Sequence, residues 1–398
     1  MALIYLRSVL IKIRHFFIRK QTEIYDWFRF KKDLRHKLNR TNSYILISHN
    51  LDGGGGAPSV LFEYAKYLRK QGEDVVLLAG RGGSLSTKAK GLGISCYQMG
   101  WLYKTYIRSI PELQTKGIIV CTIVCYSYVN ELLRFSDKKI LWWIHEEDKL
   151  LKEYEHYIPN DLTAKLHIFC GSDRIMQSLS KLRPDLHLDT LFYGCEDQLL
   201  AHKDYFKNYR HRNGEYVVTV IGRLCKRKNQ LQLINAVKNL PAEISSRVVI
   251  NLVTASWENE YKVKIEAEIL KNKNIRIIGP IPSDELYKVY GESNLIVCPS
   301  TDDPLPVVVT NAMMFGSNYV VSSGTGQAKL ISQGVDGWVY DVANTKELTE
   351  ILLENIKNPH SNINNNARKL FLNYFSLERL HSIIYSFFAV DNGQKTVI

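Results

Sequence analysis

Apolar residues along this 398-residue chain come in short runs set off by turn residues. "YILIS" at 44–48, "DVVLLAG" at 74–80, "GIIVCTIV" at 117–124, "KILWWIH" at 139–145 and "LHIFCGS" at 166–172 each have the length of a strand, and helix-length segments separate them. The runs are apolar throughout rather than alternating. That predicts strands buried on both faces of a parallel sheet, with helices as crossovers. The pattern restarts at "EYVVTVIGR" (215–223) and continues through "RVVINLVT" (247–254), "IRIIG" (275–279), "NLIVCPS" (294–300) and "NYVVSSG" (318–324). The chain thus reads as α/β, with two doubly wound domains over 41–200 and 201–374 and a seam in the charged stretch 196–215. "FSLERLHSIIYSFFAV", 375–390, reads as a final helix with an apolar face.

Charge changes the picture at the N-terminus. Of the net +12, residues 1–40 carry +8, from eleven lysines and arginines against Glu23, Asp26 and Asp33. Leu3, Leu6, Val9, Leu10, Ile13, Phe16 and Phe17 share a broad arc of a helix, while Arg7, Lys12, Arg14 and Arg19 lie mostly outside it. This basic amphipathic arm is expected to meet an anionic membrane surface. A solvated arm, or an extra helix packed on the first domain, is the plainer reading of the same segment. No nucleic-acid-binding signature accompanies it, so nucleic acid is not an expected partner. Neither a signal peptide nor a spanning apolar run is present, and the seven cysteines show no metal-binding spacing. A cytoplasmic protein, peripheral on the inner face of the membrane, with reduced thiols and no metal or cofactor, is expected.

Ligands of open parallel sheets bind beyond the carboxyl ends of the strands, so the polar residues there matter most. The first strand ends in Ser48-His49-Asn50 and leads into Gly53–Gly56, followed by a helix expected from Pro58 or Ser59. Bare amides at such a helix start suit an anion, or allow a sugar to approach the backbone. The dinucleotide fingerprint is incomplete, because Pro58 stands where its third glycine belongs. In the second domain "GRLCKRKNQLQLINAV", 222–237, places Arg223 at a strand tip and Lys228 near a helix start. A guanidinium fork and a flexible ammonium are what a diphosphate requires.

With these motifs in order, the sequence resembles the retaining glycosyltransferases of family 4, glycosyl transferases group 1, from about Tyr44 to about Tyr385. It carries "GRL...K" complete, and "L...Y..S.L.V.PS" precedes the donor-site segment. The resemblance implies the GT-B fold: two Rossmann-like domains facing across a cleft, with the last helix crossing back to the first. It implies transfer of a sugar from a nucleoside diphosphate donor, a UDP-sugar being expected, to a glycan or lipid-linked acceptor. The family's E-x7-E motif falls on Asp303 and Asn311, a departure at both ends. By resemblance Asp303 would bind sugar hydroxyls and Asn311 the ribose. Arg223 and Lys228 would clamp the diphosphate, aided by backbone amides of Gly324, Thr325 and Gly326 and by close approach at Gly54 and Gly55. His145, at the end of "WWIH", would contact the donor sugar. Family chemistry is front-face substitution with the leaving phosphate deprotonating the acceptor, so Glu146, Glu147 and Asp148 are not read as nucleophiles. Lys329 stands where many relatives carry a glutamate. The departures at Asp303 and Asn311 also admit a catalytically impaired relative that binds a glycan or a partner enzyme.

Overall fold

Thirteen strands in two parallel sheets organise the computed structural model, which describes residues 2–53, 56–146, 148–160, 164–205, 214–358 and 363–389, with side chains from Ile13 onward except at 283 and 284. The first sheet holds β1 (Ser43–Asn50), β2 (Asp74–Arg81), β3 (Ser95–Gln98), β4 (Thr115–Cys121), β5 (Ile140–Ile144), β6 (Leu166–Cys170) and β7 (Leu188–Thr190), in the order β3-β2-β1-β4-β5-β6-β7. The second holds β8 (Tyr216–Ile221), β9 (Val248–Val253), β10 (Ile275–Ile278), β11 (Leu295–Cys298), β12 (Tyr319–Ser322) and β13 (Trp338–Tyr340), in the order β10-β9-β8-β11-β12-β13. Every neighbouring pair is parallel. Strand order reverses between β1 and β4, and again between β8 and β11. These two switch points are where a doubly wound sheet leaves a crevice for ligand.

The chain divides into two compact units, Met1–Glu196 with Leu380–Ile398, and Asp197–Arg379. Each has its own core. In the first, Ile45, Ile47, Val120, Trp142 and Ile144 of the central strands are fully buried. In the second, Val218, Leu252, Val297 and Val320 are buried beside Trp338 and Tyr340. The helix Leu377–Ala389 carries the chain back into the first unit, where the His381 ring meets the Tyr64 hydroxyl at 3.0 Å and Lys139 donates to the Phe387 carbonyl at 2.8 Å.

The N-terminal segment differs from a separate arm over 1–40. One helix, Ala2–His36, runs through it, and its second half belongs to the first core: Phe30 is fully buried and Leu34 and Leu38 nearly so. Trp27 packs edge-on against Tyr106 with centroids 4.9 Å apart. The acidic residues that interrupt the basic run explain the difference, because they face inward. Asp26 accepts from the Gln98 amide at 2.9 Å and from Arg29 at 3.0 Å, and Asp33 accepts from the Tyr97 hydroxyl at 2.5 Å. Residues 13–19 are exposed. Among the described residues no helix is long and apolar enough to cross a membrane.

Candidate active site

At the second switch point the loop after β8 meets the loop after β11. Gly222 directly follows β8 with φ 145°, a conformation that favours glycine, and a Cβ there would lie 3.6 Å from Cε of Lys228. A single 3-10 turn, Lys226–Lys228, then leads through Asn229, left-handed at φ 54°, into the helix Gln230–Lys238. The amide of Thr301 donates to the Arg227 carbonyl at 2.8 Å, which fixes the two loops side by side. Across that junction Lys228 Nζ forms an ion pair with Asp303 Oδ2. Arg227 adds a second cation, with Nη1 3.4 Å from the same oxygen and 2.7 Å from the Asp302 carbonyl that it donates to. Asp303 is only 8% exposed, so its charge is met by these two groups rather than by water.

Asp303 is also locked through its backbone. Its amide donates to the Gly324 carbonyl, and its carbonyl accepts from the Gly326 amide, both at 2.9 Å. Neither glycine tolerates a side chain: a Cβ at Gly324 would strike the carbonyls of Ser300 and Thr301, and one at Gly326 the carbonyl of Pro304. Of the Gly324-Thr325-Gly326 amides expected to face phosphate, two are engaged within the chain: the Gly326 amide serves Asp303 and the Thr325 amide donates to the Ser322 carbonyl at 3.1 Å. The turn thereby positions the Asp303 loop.

Arg223 is exposed at the tip of β8, and its carbonyl accepts from Gln230 at 2.8 Å. Asn311 lies in the helix Val307–Met314 and is half-buried, its amide nitrogen 3.4 Å from the Tyr290 hydroxyl. Lys329 is exposed. Arg227 escaped the sequence reading although it adjoins Lys228. Only the two-against-one geometry around Asp303 distinguishes it from a solvated surface arginine.

The first switch point has its own polar cluster. The helix expected from Pro58 starts at Gly56, and Gly54, Gly55 and Glu147 lie outside the described residues. Thr122, just past β4, has the unusual φ of 84°, and its hydroxyl stands 3.3 Å from Nδ1 of His49 at the end of β1. His145 follows β5, with its ring 4.6 Å from that of Trp143. Gly171 leaves the space it fills, since a Cβ there would come within 2.6 Å of Nδ1. Its Nε2 is enclosed and has no hydrogen-bond partner among the described residues. Burial pushes the imidazole down to about 3, so it stands neutral. Beside it the Glu146 carboxylate turns inward and accepts from the amides of Ile123 and His145, both at 3.0 Å. Burial outweighs those two bonds and raises this carboxyl to about 7.

Comparison with known proteins gives this geometry a family. The model for glycosyl transferases group 1 matches residues 202–370, and that for glycosyl-transferase family 4 matches residues 40–169. An uncharacterized glycosyltransferase of Methanocaldococcus jannaschii is 28% identical over 138 residues, 33% of this chain and 35% of that protein. The match thus spans about a third of that curated relative. Among solved structures, HepE of Anabaena in complex with UDP superposes with TM-score 0.70 at 16% identity, covering 87% of this chain and 100% of HepE. Its complex with UDP-glucose gives 0.67 at 17% identity over 87% and 99%. The lipopolysaccharide outer core galactosyltransferase WaaB gives 0.69 at 13% identity over 87% and 99%. At such identities these structures establish the fold, GT-B. With both sheets, both switch points and both family matches in agreement, the chain belongs to the family 4, group 1 glycosyltransferases, and it is a transferase.

Proposed function

We propose that this protein transfers a sugar from a UDP-sugar to a glycan or lipid-linked acceptor in cell-surface polysaccharide synthesis, with retention of anomeric configuration. The observation that carries the reading is the Lys228–Asp303–Arg227 cluster at the β8/β11 switch point. A diphosphate bound there gives Lys228 a new partner. Lys228 exchanges Asp303 for phosphate oxygens, and Asp303 is freed to accept hydrogen bonds from sugar hydroxyls. Arg223, exposed on the same loop, supplies a bidentate fork to the second phosphate. The charge growing on the departing diphosphate then develops beside cations already in place. The leaving phosphate takes the acceptor proton, so no side chain serves as nucleophile. Asn311 offers an uncharged contact to the ribose, and the neutral His145, with its bare Nε2, offers one to a sugar hydroxyl. The HepE complexes with UDP and UDP-glucose, and the name of WaaB, support a UDP-sugar and a surface-glycan acceptor.

The N-terminal helix supports a peripheral position on an anionic, cytoplasmic membrane face. Its outward side shows Ile13, Phe17, Ile24 and Phe28 at spacings of four, seven and four residues, interleaved with basic residues. The test of donor binding is thermal stabilisation of the whole chain by UDP, GDP and ADP, repeated on Lys228→Ala. A ligand that binds only the folded state stabilises by about 2.7 kcal/mol at a hundredfold excess over Kd. Stabilisation by UDP that the variant loses is the expected result. No response to any nucleotide would overturn the reading and leave a non-catalytic binding protein. Transfer is further expected to survive EDTA, since Lys228, Arg223 and Arg227 supply the counter-charge.

A further inference from the structure

A cavity of about 610 Å³ lies in the first unit between the N-terminal helix and the carboxyl ends of β2 and β3. Its walls are His15, Phe16, Ile18 and Arg19 of the helix, Arg81 and Gly82 at the end of β2, and Gln98 at the end of β3. We propose that this cavity binds the phosphate of an acceptor that carries an apolar tail, so that the added helix completes an acceptor subsite for a lipid-phosphate-linked substrate. The inference rests on the transferase reading above and specifies its acceptor.

Helical register explains how the cavity arises. Phe16, Glu23 and Phe30 are seven residues apart, as are Arg19, Asp26 and Asp33, so each set shares one side of the helix. Further along, that side is sealed against β3: Phe30 is fully buried, and Asp26 holds the Gln98 amide. About two turns before Asp26 and four before Phe30 the helix has passed the ends of the strands, and the same side borders the cavity at Arg19 and Phe16. The overhang is at the end of the sheet where ligands of parallel sheets bind.

Charge decides the ligand. Two acids of the helix border this region: Asp26, already held by the Gln98 backbone amide and Arg29, and Glu23, nearly fully buried, which is met by Arg19 Nε at 3.5 Å, Lys20 Nζ at 3.4 Å and the Gln98 side-chain nitrogen at 3.4 Å. Its single charge is thus shared between two cations. Arg81 is exposed, and its guanidinium has no carboxylate partner among the described residues. It is also close enough to His49, at the β1/β4 switch point, to help depress that imidazole, whose lowering is due first to burial and is opposed by Asp52. A phosphate in the cavity would therefore meet Arg81 and Arg19, with His15 on the same wall, a geometry that suits guanidinium forks. Phe16 and Ile18 give the same cavity an apolar wall. Both are about half exposed, at 49% and 48%, so an apolar chain that leaves the cavity can lie along them. A free nucleotide or a neutral glycan uses only half of these features.

The experiment measures binding of three probes to the full chain in detergent: farnesyl phosphate, farnesol and inorganic phosphate. UDP stabilisation of each variant serves as the check that it is folded. Farnesyl phosphate is expected to bind at least tenfold more tightly than either other probe. Arg81→Gln should weaken it at least tenfold, Arg81→Lys should restore part of the loss, and Phe16→Ser should weaken it while leaving the phosphate response alone. Equal binding of farnesol, or Arg81→Gln without effect, would overturn the proposal. So would a loss in Arg81→Gln matched by an equal loss of binding to vesicles of phosphatidylcholine and phosphatidylglycerol, since the site would then be a general lipid-headgroup contact. A wild type that binds farnesyl phosphate but is not stabilised by UDP would sink the donor assignment while leaving the cavity assignment standing.

Discussion

Two adjacent residues at the end of β5 respond to pH in opposite directions. Glu146 is raised from 4.5 to about 7 by burial, so between those values the folded chain keeps a proton that the unfolded chain has released, and stability falls as pH rises through the window. His145 is lowered from 6.5 to about 3, again by burial. Between pH 6.5 and 3 the unfolded chain binds a proton that the folded chain does not, and stability falls as pH drops. Between pH 4.5 and 6.5 the two partly cancel. Glu146→Gln keeps an oxygen to accept from Ile123 and His145 and removes only the carboxyl titration. Its melting temperature should therefore fall more steeply than that of the wild type on acidification from pH 6.5 to 4.5. Its folding stability should exceed that of the wild type at pH 8, by an amount on the order of 3 kcal/mol at most. A melting series across pH 4 to 8 checks both; parallel curves for the two proteins would show that Glu146 does not titrate there. At the other site, Lys228→Ala should weaken UDP by about tenfold to a hundredfold, the worth of a hydrogen-bonded charge of roughly 1.5–3 kcal/mol, as read by calorimetric titration. Gly326→Ala should do comparable harm without touching a charge, because its Cβ meets the Pro304 carbonyl and shifts the loop that carries Asp303.

At the level of elements, the N-terminal helix is two things in succession, a core helix from about Lys20 onward and, before it, an overhang that is exposed over residues 13–19. Phe30→Ala removes a fully buried ring set among Trp27, Tyr97 and Tyr106, and should cost about 3–5 kcal/mol in urea unfolding. Deleting residues 2–18 should leave that stability within about 1 kcal/mol, whereas an equal loss from both changes would mean the overhang is also packed. The sequence could not divide this helix, because an inward-facing acid looks like any other until its partner is known. Asp26 and Asp33 read as breaks in a basic run, yet they pair with Gln98 and Tyr97 some seventy positions away. The central strands were legible from their unbroken apolar runs. Of the four edge strands β10 was legible in "IRIIG", but β3, β7 and β13, three or four residues each, were not, because "SCYQ", "LDT" and "WVY" carry no apolar run long enough to mark a strand. The site was legible to the same extent. Arg223, Lys228, Asp303 and His145 stand at strand ends that periodicity predicts. The pairing of Lys228 with Asp303, the role of Arg227 and the use of the Gly326 amide depend on contacts between segments about 75 and about 23 residues apart, which no local pattern encodes.

For the molecule as a whole, the charge distribution makes association with an anionic surface a question of salt as well as of apolar contact. Two-thirds of the net charge lies in the first 40 residues, on a helix whose outward side exposes Phe17 and Phe28 by 62% and 68%. A basic residue near an anionic surface contributes about 1 kcal/mol, and that attraction decays within about 10 Å at 0.1 M salt. Burial of the exposed rings does not depend on salt in this way. The two contributions can therefore be separated on vesicles containing phosphatidylglycerol. Raising salt from 0.05 to 0.5 M should weaken binding of the full chain by more than tenfold but leave a residue of binding. Phe17→Ser with Phe28→Ser should abolish that residue while preserving the salt-sensitive part. Deletion of residues 2–18 should remove the Phe17 contribution together with Arg7, Lys12 and Arg14, three of the eleven basic residues, and so weaken both parts at once. If neutral phosphatidylcholine vesicles bound the chain as tightly as anionic ones, the charge excess would have no part in membrane contact. The basic face would then have to be explained by the acceptor phosphate alone.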